Sequence, residues 1–200
     1  MNGEHIINFV MNKNRLEAFS DGVLAIIITI MVLELKVPHN PTWQTYLDAF
    51  PIFISYGLSF VLVGLYWSTH HHLFHLAQKV DNKVLWMNML VLFWQSLIPF
   101  ATSTMGENKF TSTTVMVYAF VLAMCSISHI FLTKSLIKLH GPNSSLALYS
   151  KKNNKTGNLT LATNIVAFFI ALIGFPKIAF ILIAFVALLW FLPAKITDNI

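Results

Sequence analysis

Hydrophobic residues in this chain come in long blocks, not in alternation. Uncharged runs occupy 49–78, 84–106, 110–133, 156–176 and 178–194, each matching, or nearly so, the about 17 to 25 residues that one membrane-spanning helix needs. An earlier block, 22–33, is bounded by charges and has only twelve residues. At about 1.5 Å per residue it covers about 18 Å, well short of a hydrocarbon core about 30 Å thick. Crossing therefore requires 16–37, which brings Glu17, Asp21, Glu34 and Lys36 along. Ionisable side chains deep in a bilayer are costly, so such a helix faces protein or water. The pattern predicts an all-α integral membrane protein with a single transmembrane domain over 1–200. Its six helices lie at about 16–37, 49–76, 84–105, 111–137, 157–174 and 177–194.

Between the blocks, HNPTWQTYLD reads as a short loop whose Trp43 and Tyr46 suit a membrane interface. The second helix is longer than a bilayer requires, and its last turns, YWSTHHHLFH, reach the headgroups or beyond. Gly57, Ser59 and Gly64 are small enough to permit close helix packing there. Pro99 predicts a kink in the third helix, because it removes one backbone hydrogen bond. The longest polar connection is KLHGPNSSLALYSKKNNKTGN, and GFPK turns the final hairpin. The last two helices, almost wholly Ala, Ile, Leu, Phe and Val, read as a lipid-facing wall.

Composition agrees: 56% of residues are hydrophobic and 10% charged, against about 25% charged in soluble domains. Ten of the 13 lysines and arginines fall on the amino-terminal arm, the second and fourth connections and the tail. The positive-inside rule then places both termini of this multi-pass protein in the cytoplasm. The net charge of +5 follows from this bias, so nucleic acid is not an expected partner. The polar amino terminus predicts no cleaved leader. A lone Cys125 excludes an intramolecular disulfide and a cysteine-clustered metal site.

With Ile26 as zero on a helical wheel of about 100° per residue, Gly22, Thr29, Ile30 and Leu33 fall within about 60° of it. Asp21 and Ser20 lie about 140° and 120° away, on the back of the helix. Two readings are open. The stripe is ordinary packing with Asp21 a structural carboxylate, or the stripes of several subunits meet around an axis and line a pore.

Arg15-x-x-x-Phe19-Ser20-Asp21 resembles the RxxxFSD signature of the transmembrane protein 175 family, whose animal member is an endolysosomal potassium channel. The likeness continues through GVLAIIITIMVLELKVP and the tract YWSTHHHLFHLAQKVDNKVLWMNMLVLFWQSLIPF at 66–100. It covers the first three helices, and the last three match in hydropathy and number. The chain is similar to the prokaryotic, single-repeat branch. That resemblance implies a homotetrameric, potassium-permeable cation channel embedded in the lipid bilayer, with helix 1 of each subunit lining the pore. It puts a hydrophobic constriction on Ile26, a hydroxyl-bearing position on Thr29 and a second apolar ring on Leu33, with Gly22 and Ile30 on the same face. It gives Arg15, Phe19, Ser20 and Asp21 a role in assembly and gating. The permeant ion is potassium and no cofactor is implied. With no TVGYG-like carbonyl filter in the chain, modest selectivity for potassium over sodium is expected.

Arg15 and Asp21 are too far apart along one helix to pair, so each is expected to bond a neighbouring helix or subunit, with His70, His71, Asn88 and Trp94 as polar candidates. His70 and His71 match the family's paired histidines, whereas His72 stands where relatives often have arginine. His71 and His75 have i, i+4 spacing, which can hold zinc, but no acidic residue sits between them. An interfacial hydrogen-bonding cluster is preferred over regulatory metal or proton sensing, and both over catalytic metal. An enzyme is not expected, because the later spans lack Asp, Glu and Arg. The alternative is a secondary cation transporter or proton-coupled carrier using Asp21, for which Pro99 and Asp21 are the only hints.

Overall fold

The computed structural model describes residues 12–37 and 39–191. Among them there are eight helical segments and no strand: α1 (Lys13–Leu33), α2 (Trp43–Asp48), α3 (Phe50–Leu76), α4 (Asn82–Ser96), α5 (Ile98–Glu107), α6 (Ser112–His140), α7 (Ser145–Leu172) and α8 (Pro176–Leu189). Five stretches are long and apolar enough to cross a membrane: α1, α3, the α4–α5 pair, α6 and α7. The sixth, α8, is shorter. The chain is an all-α integral membrane protein.

Local chemistry sets these boundaries. Asn12, Thr42, Asp81 and Ser144 cap α1, α2, α4 and α7, each accepting a first-turn amide on its side chain. Pro51, Pro99 and Pro176 sit in the first turns of α3, α5 and α8, where the missing N–H would have no helical acceptor. Gly174, at φ +97°, makes the left-handed turn that ends α7. The kink expected from Pro99 is a break at Leu97, which separates α4 from α5.

Three expectations are corrected. Ser144 nucleates α7 twelve residues before the expected start at 157, so most of the supposed polar linker is helix and only a short turn separates it from α6. Part of the outer loop, Trp43–Asp48, is helical. The last helix ends at Leu189, short of 194, and residues 192–194 lie outside the described part.

The protomer is organised around α6, which packs on α4 and α5 on one side and on α7 and α8 on the other. One end of the bundle gathers the start of α1 and α7 and the end of α3 and α6. There His140 Nε2 accepts from the Gln78 and Lys79 amides, at 3.0 and 3.2 Å, and pins the α3–α4 connection. At the opposite end Lys36 donates to Glu107 at 2.7 Å, joining the chain after α1 to α5. That carboxylate raises the Lys36 pKa above its ordinary value.

Within the protomer, close packing occurs at one of the three expected positions, Ser59. A Cβ on Gly57 or Gly64 would meet nothing within 4 Å, whereas one on Gly106 would run into Ser55 Oγ and lie 2.9 Å from Ile52 Cα. Gly106 is thus what lets α5 lie against α3. Ser59 does contribute, through a buried hydroxyl chain in which it bonds Tyr118 at 2.8 Å and accepts from Thr102 at 2.7 Å.

Candidate functional site

Helix α1 has two unlike faces. Leu16, Ser20, Leu24, Ile27 and Met31 are buried against the bundle, following the three-and-four spacing of one helical side. On the other side Gly22 and Thr29 are exposed, with Ile26 at 57%, Ile30 at 42% and Leu33 at 78% exposure. Phe19, half exposed, continues that stripe toward the helix start. Thr29 Oγ1 donates to the Ile26 carbonyl at 2.8 Å, which occupies its proton and leaves the oxygen lone pairs outward.

The back of α1 is tied down by polar contacts at two levels. Ser20 is fully buried. Its hydroxyl donates to the Leu16 carbonyl at 2.9 Å and accepts from Asn88 Nδ2 at 2.9 Å. The Asn88 carbonyl oxygen in turn lies 2.7 Å from His70 Nε2. Since that oxygen can only accept, His70 carries a proton on Nε2. One amide therefore joins α1, α3 and α4. One residue further on, Trp67 Nε1 donates to Asp21 at 3.0 Å. The Trp67 ring stacks on His71, whose Nδ1 lies 3.3 Å from Glu17, itself 3.9 Å from Lys13.

His70 and Asn88 thus meet Ser20, and His71 meets the same helix through Glu17. Trp94 does not join them: it packs edge-on against Phe93 and Phe120, and its Nε1 has no partner among the described residues. Its distance from Ser20 has a simple cause, for six residues along α4 from Asn88 carry it well over a turn away. Arg15 is exposed and makes no side-chain hydrogen bond or ion pair among the described residues of its own protomer, so no neighbouring helix of the same chain supplies its partner there. His75 stacks loosely on His71, and His72 packs on Tyr149. No group of three His, Cys, Asp or Glu side chains could hold a metal ion among the described residues.

Two participants escaped sequence reading, Trp67 and Glu17. Trp67 stands four residues before His71 on the same helical side, and that spacing was its available signal. Beside the exposed stripe runs a groove of about 600 Å³ between α1 and the α4–α5 break, lined by Ile26, Ile30, Glu34, Pro99, Ser103 and Glu107 among others. Ser103 donates to Glu34 across it at 3.0 Å. A groove with two carboxylates on its wall is a poor surface for lipid tails.

A family model described as the endosomal/lysosomal potassium channel TMEM175 matches residues 15–99. A potassium channel of Chryseobacterium sp. is 43% identical over 187 residues, covering 92% of this chain and 95% of its own length. A solved structure described as a lysosomal potassium-selective channel TMEM175 homolog from Chamaesiphon minutus is 26% identical. It superposes with a TM-score of 0.75 and covers 94% of this chain and 98% of its own. The human endosomal/lysosomal proton channel TMEM175 is 33% identical over 103 residues, 46% of this chain and 20% of its own length.

Proposed function

Because the chain belongs to the TMEM175 family, we propose that it is a potassium-permeable channel in which α1 from each of four copies lines a central pore. The observation that carries this reading is the apolar stripe of α1, exposed along its length while the opposite side packs on the bundle. The exposed side carries Thr29 and runs into a groove whose wall holds Glu34 and Glu107, so it calls for protein and water at that level of the span.

In this arrangement four Ile26 side chains form a neck that dewets when narrow and conducts hydrated ions when widened slightly. Thr29 hydroxyl oxygens replace part of a cation's hydration shell just beyond the neck, and Leu33 forms a second apolar ring. Potassium sheds water more readily than sodium, so it passes preferentially, though modestly in the absence of a carbonyl filter. Asn88 and Trp67, by holding Ser20 and Asp21, keep the back of α1 registered on its own subunit while its front faces the axis. Each protomer serves as one six-helix transmembrane unit. The end of the bundle that gathers Lys13, Arg15, Lys79, Lys83 and Lys138 faces the cytoplasm of a prokaryotic cell, with Lys36, Lys109 and Lys177 outside.

The test is ion flux from liposomes holding only the purified protein, in potassium and sodium gradients, with wild type beside Ile26→Asn. Passive flux that favours potassium and rises several-fold in the variant is the expected outcome. Flux that needs a second ion or a proton gradient would replace the channel by a carrier coupled at Asp21.

A further inference from the structure

A second cavity, open on one side, lies between α3, α6 and α7 beside Trp190, the residue that follows α8, and no α1 residue lines it. It has two chambers. The outer one, of about 400 Å³, is lined by Thr133, Lys134, Tyr149, Ser150, Asn153 and Asn154 among others. The inner one, of about 90 Å³, has walls of Leu62, Leu65 and Tyr66 with the hydroxyls of Ser126 and Thr160. Thr69, His129, Ile130, Gly157 and Trp190 line both.

Three features mark this as a built site. His129 borders both chambers, and its Nε2 is buried without a hydrogen-bond partner among the described residues, an expensive arrangement in the protomer alone. A Cβ on Gly157 would meet no atom within 4 Å, so the wall is open where α7 passes. Trp190 is held in place by its indole, which donates to Thr160 Oγ1 at 3.0 Å. Lys134 is the one lysine in the lining, and the helices that carry it are basic: Lys134, Lys138, Lys151, Lys152 and Lys155 lie on α6 and α7, the sequence holds no Asp or Glu between Glu107 and Asp198, and none of the five enters an ion pair among the described residues.

We propose that this cavity binds one anionic phospholipid per protomer. Its phosphate sits among Lys134 and the Asn153 and Asn154 amides, and the first part of an acyl chain enters the inner chamber. The polarity of the cavity runs in the order that a lipid's does, with a basic, amide-rich mouth at the lysine-rich end of the bundle and a mainly apolar chamber deeper in the span. A soluble anion would use the mouth and have no use for the chamber. The site is separate from α1, so its occupancy is independent of the pore assignment.

The experiment is native mass spectrometry of the full-length protein extracted from vesicles containing equal phosphatidylglycerol and phosphatidylcholine. Wild type should retain phosphatidylglycerol in preference, at one per chain. Lys134→Gln, an exposed change that spares the core, should lower that retention about fivefold. Gly157→Leu, which fills open space, should lower retention of lipid of either headgroup. Equal retention of the two lipids by wild type, or undiminished retention in both variants, overturns the proposal. Displacement of the lipid by millimolar inorganic phosphate alone would also overturn it, assigning the mouth to a free anion.

Discussion

Asn88 bridges Ser20 and His70 with the two ends of one side-chain amide, and all three residues are fully buried. Removing it strands a hydroxyl and an imidazole where water is excluded. Asn88→Ala should therefore lower stability by about 2 kcal/mol, read as a fall in the thermal midpoint of the detergent-solubilised protein. A change no larger than that of the exposed Ser96→Ala would sink the idea that this amide is structural. Gly106 works by what it lacks. In Gly106→Ala the added carbon meets Ser55 Oγ and the Ile52 backbone, and pushing α5 off α3 should cost about 1 to 3 kcal/mol. The same change at Gly64, where nothing lies within 4 Å in the protomer, should be neutral to folding, which makes it the natural control.

At the scale of elements, the informative case is α7. Its first three turns read SLALYSKKNNKTG, a composition that suits a solvated connection, yet they are helical from Ser145. The cause is packing: Leu146 is fully buried in a cluster with Leu132 and Leu136 of α6 and Leu73 of α3, and Ser144 supplies the cap. Brief trypsin treatment should accordingly spare Lys151, Lys152 and Lys155, since helical backbone does not fit a protease cleft without local unfolding. Rapid cutting there would show the segment to be the linker that its composition describes. The cap of α4 is a simpler element-level test. Asp81 accepts the Val84 amide at 2.7 Å, and Asp81→Ala should cost about 1 kcal/mol and speed hydrogen exchange in the first turn of that helix.

For the whole molecule the open quantity is the number of copies around α1. Within one protomer α1 is an edge helix and α6 the centre, an arrangement that is complete only when something covers the stripe from Phe19 to Leu33. Native mass in mild detergent should give four chains, and a stable monomer would remove the pore as drawn. Ile26→Asn should leave that assembly intact while raising leak, because the change wets the neck without touching the buried side of α1. A variant that instead dissociates would place Ile26 in the subunit contact and not at the gate.

Sequence alone settled what is local or imposed by the bilayer. Hydrophobic block lengths marked four of the five long apolar helices because membrane thickness sets them, and Pro99 marked its break because a missing N–H acts wherever it falls. The wheel grouped Ile26, Thr29, Ile30 and Leu33 because helical period is a property of neighbours along the chain. Tertiary structure decided everything that depends on which helix comes near which. It chose Trp67 for Asp21 and Asn88 for Ser20, left Trp94 and Arg15 out of that network, put α6 at the centre, moved close packing from Gly64 to Gly106, and turned a polar stretch into three turns of α7. These outcomes rest on contacts between residues distant in the chain, such as Ser20 with Asn88 or Leu146 with Leu73. No periodicity or composition of one segment encodes them.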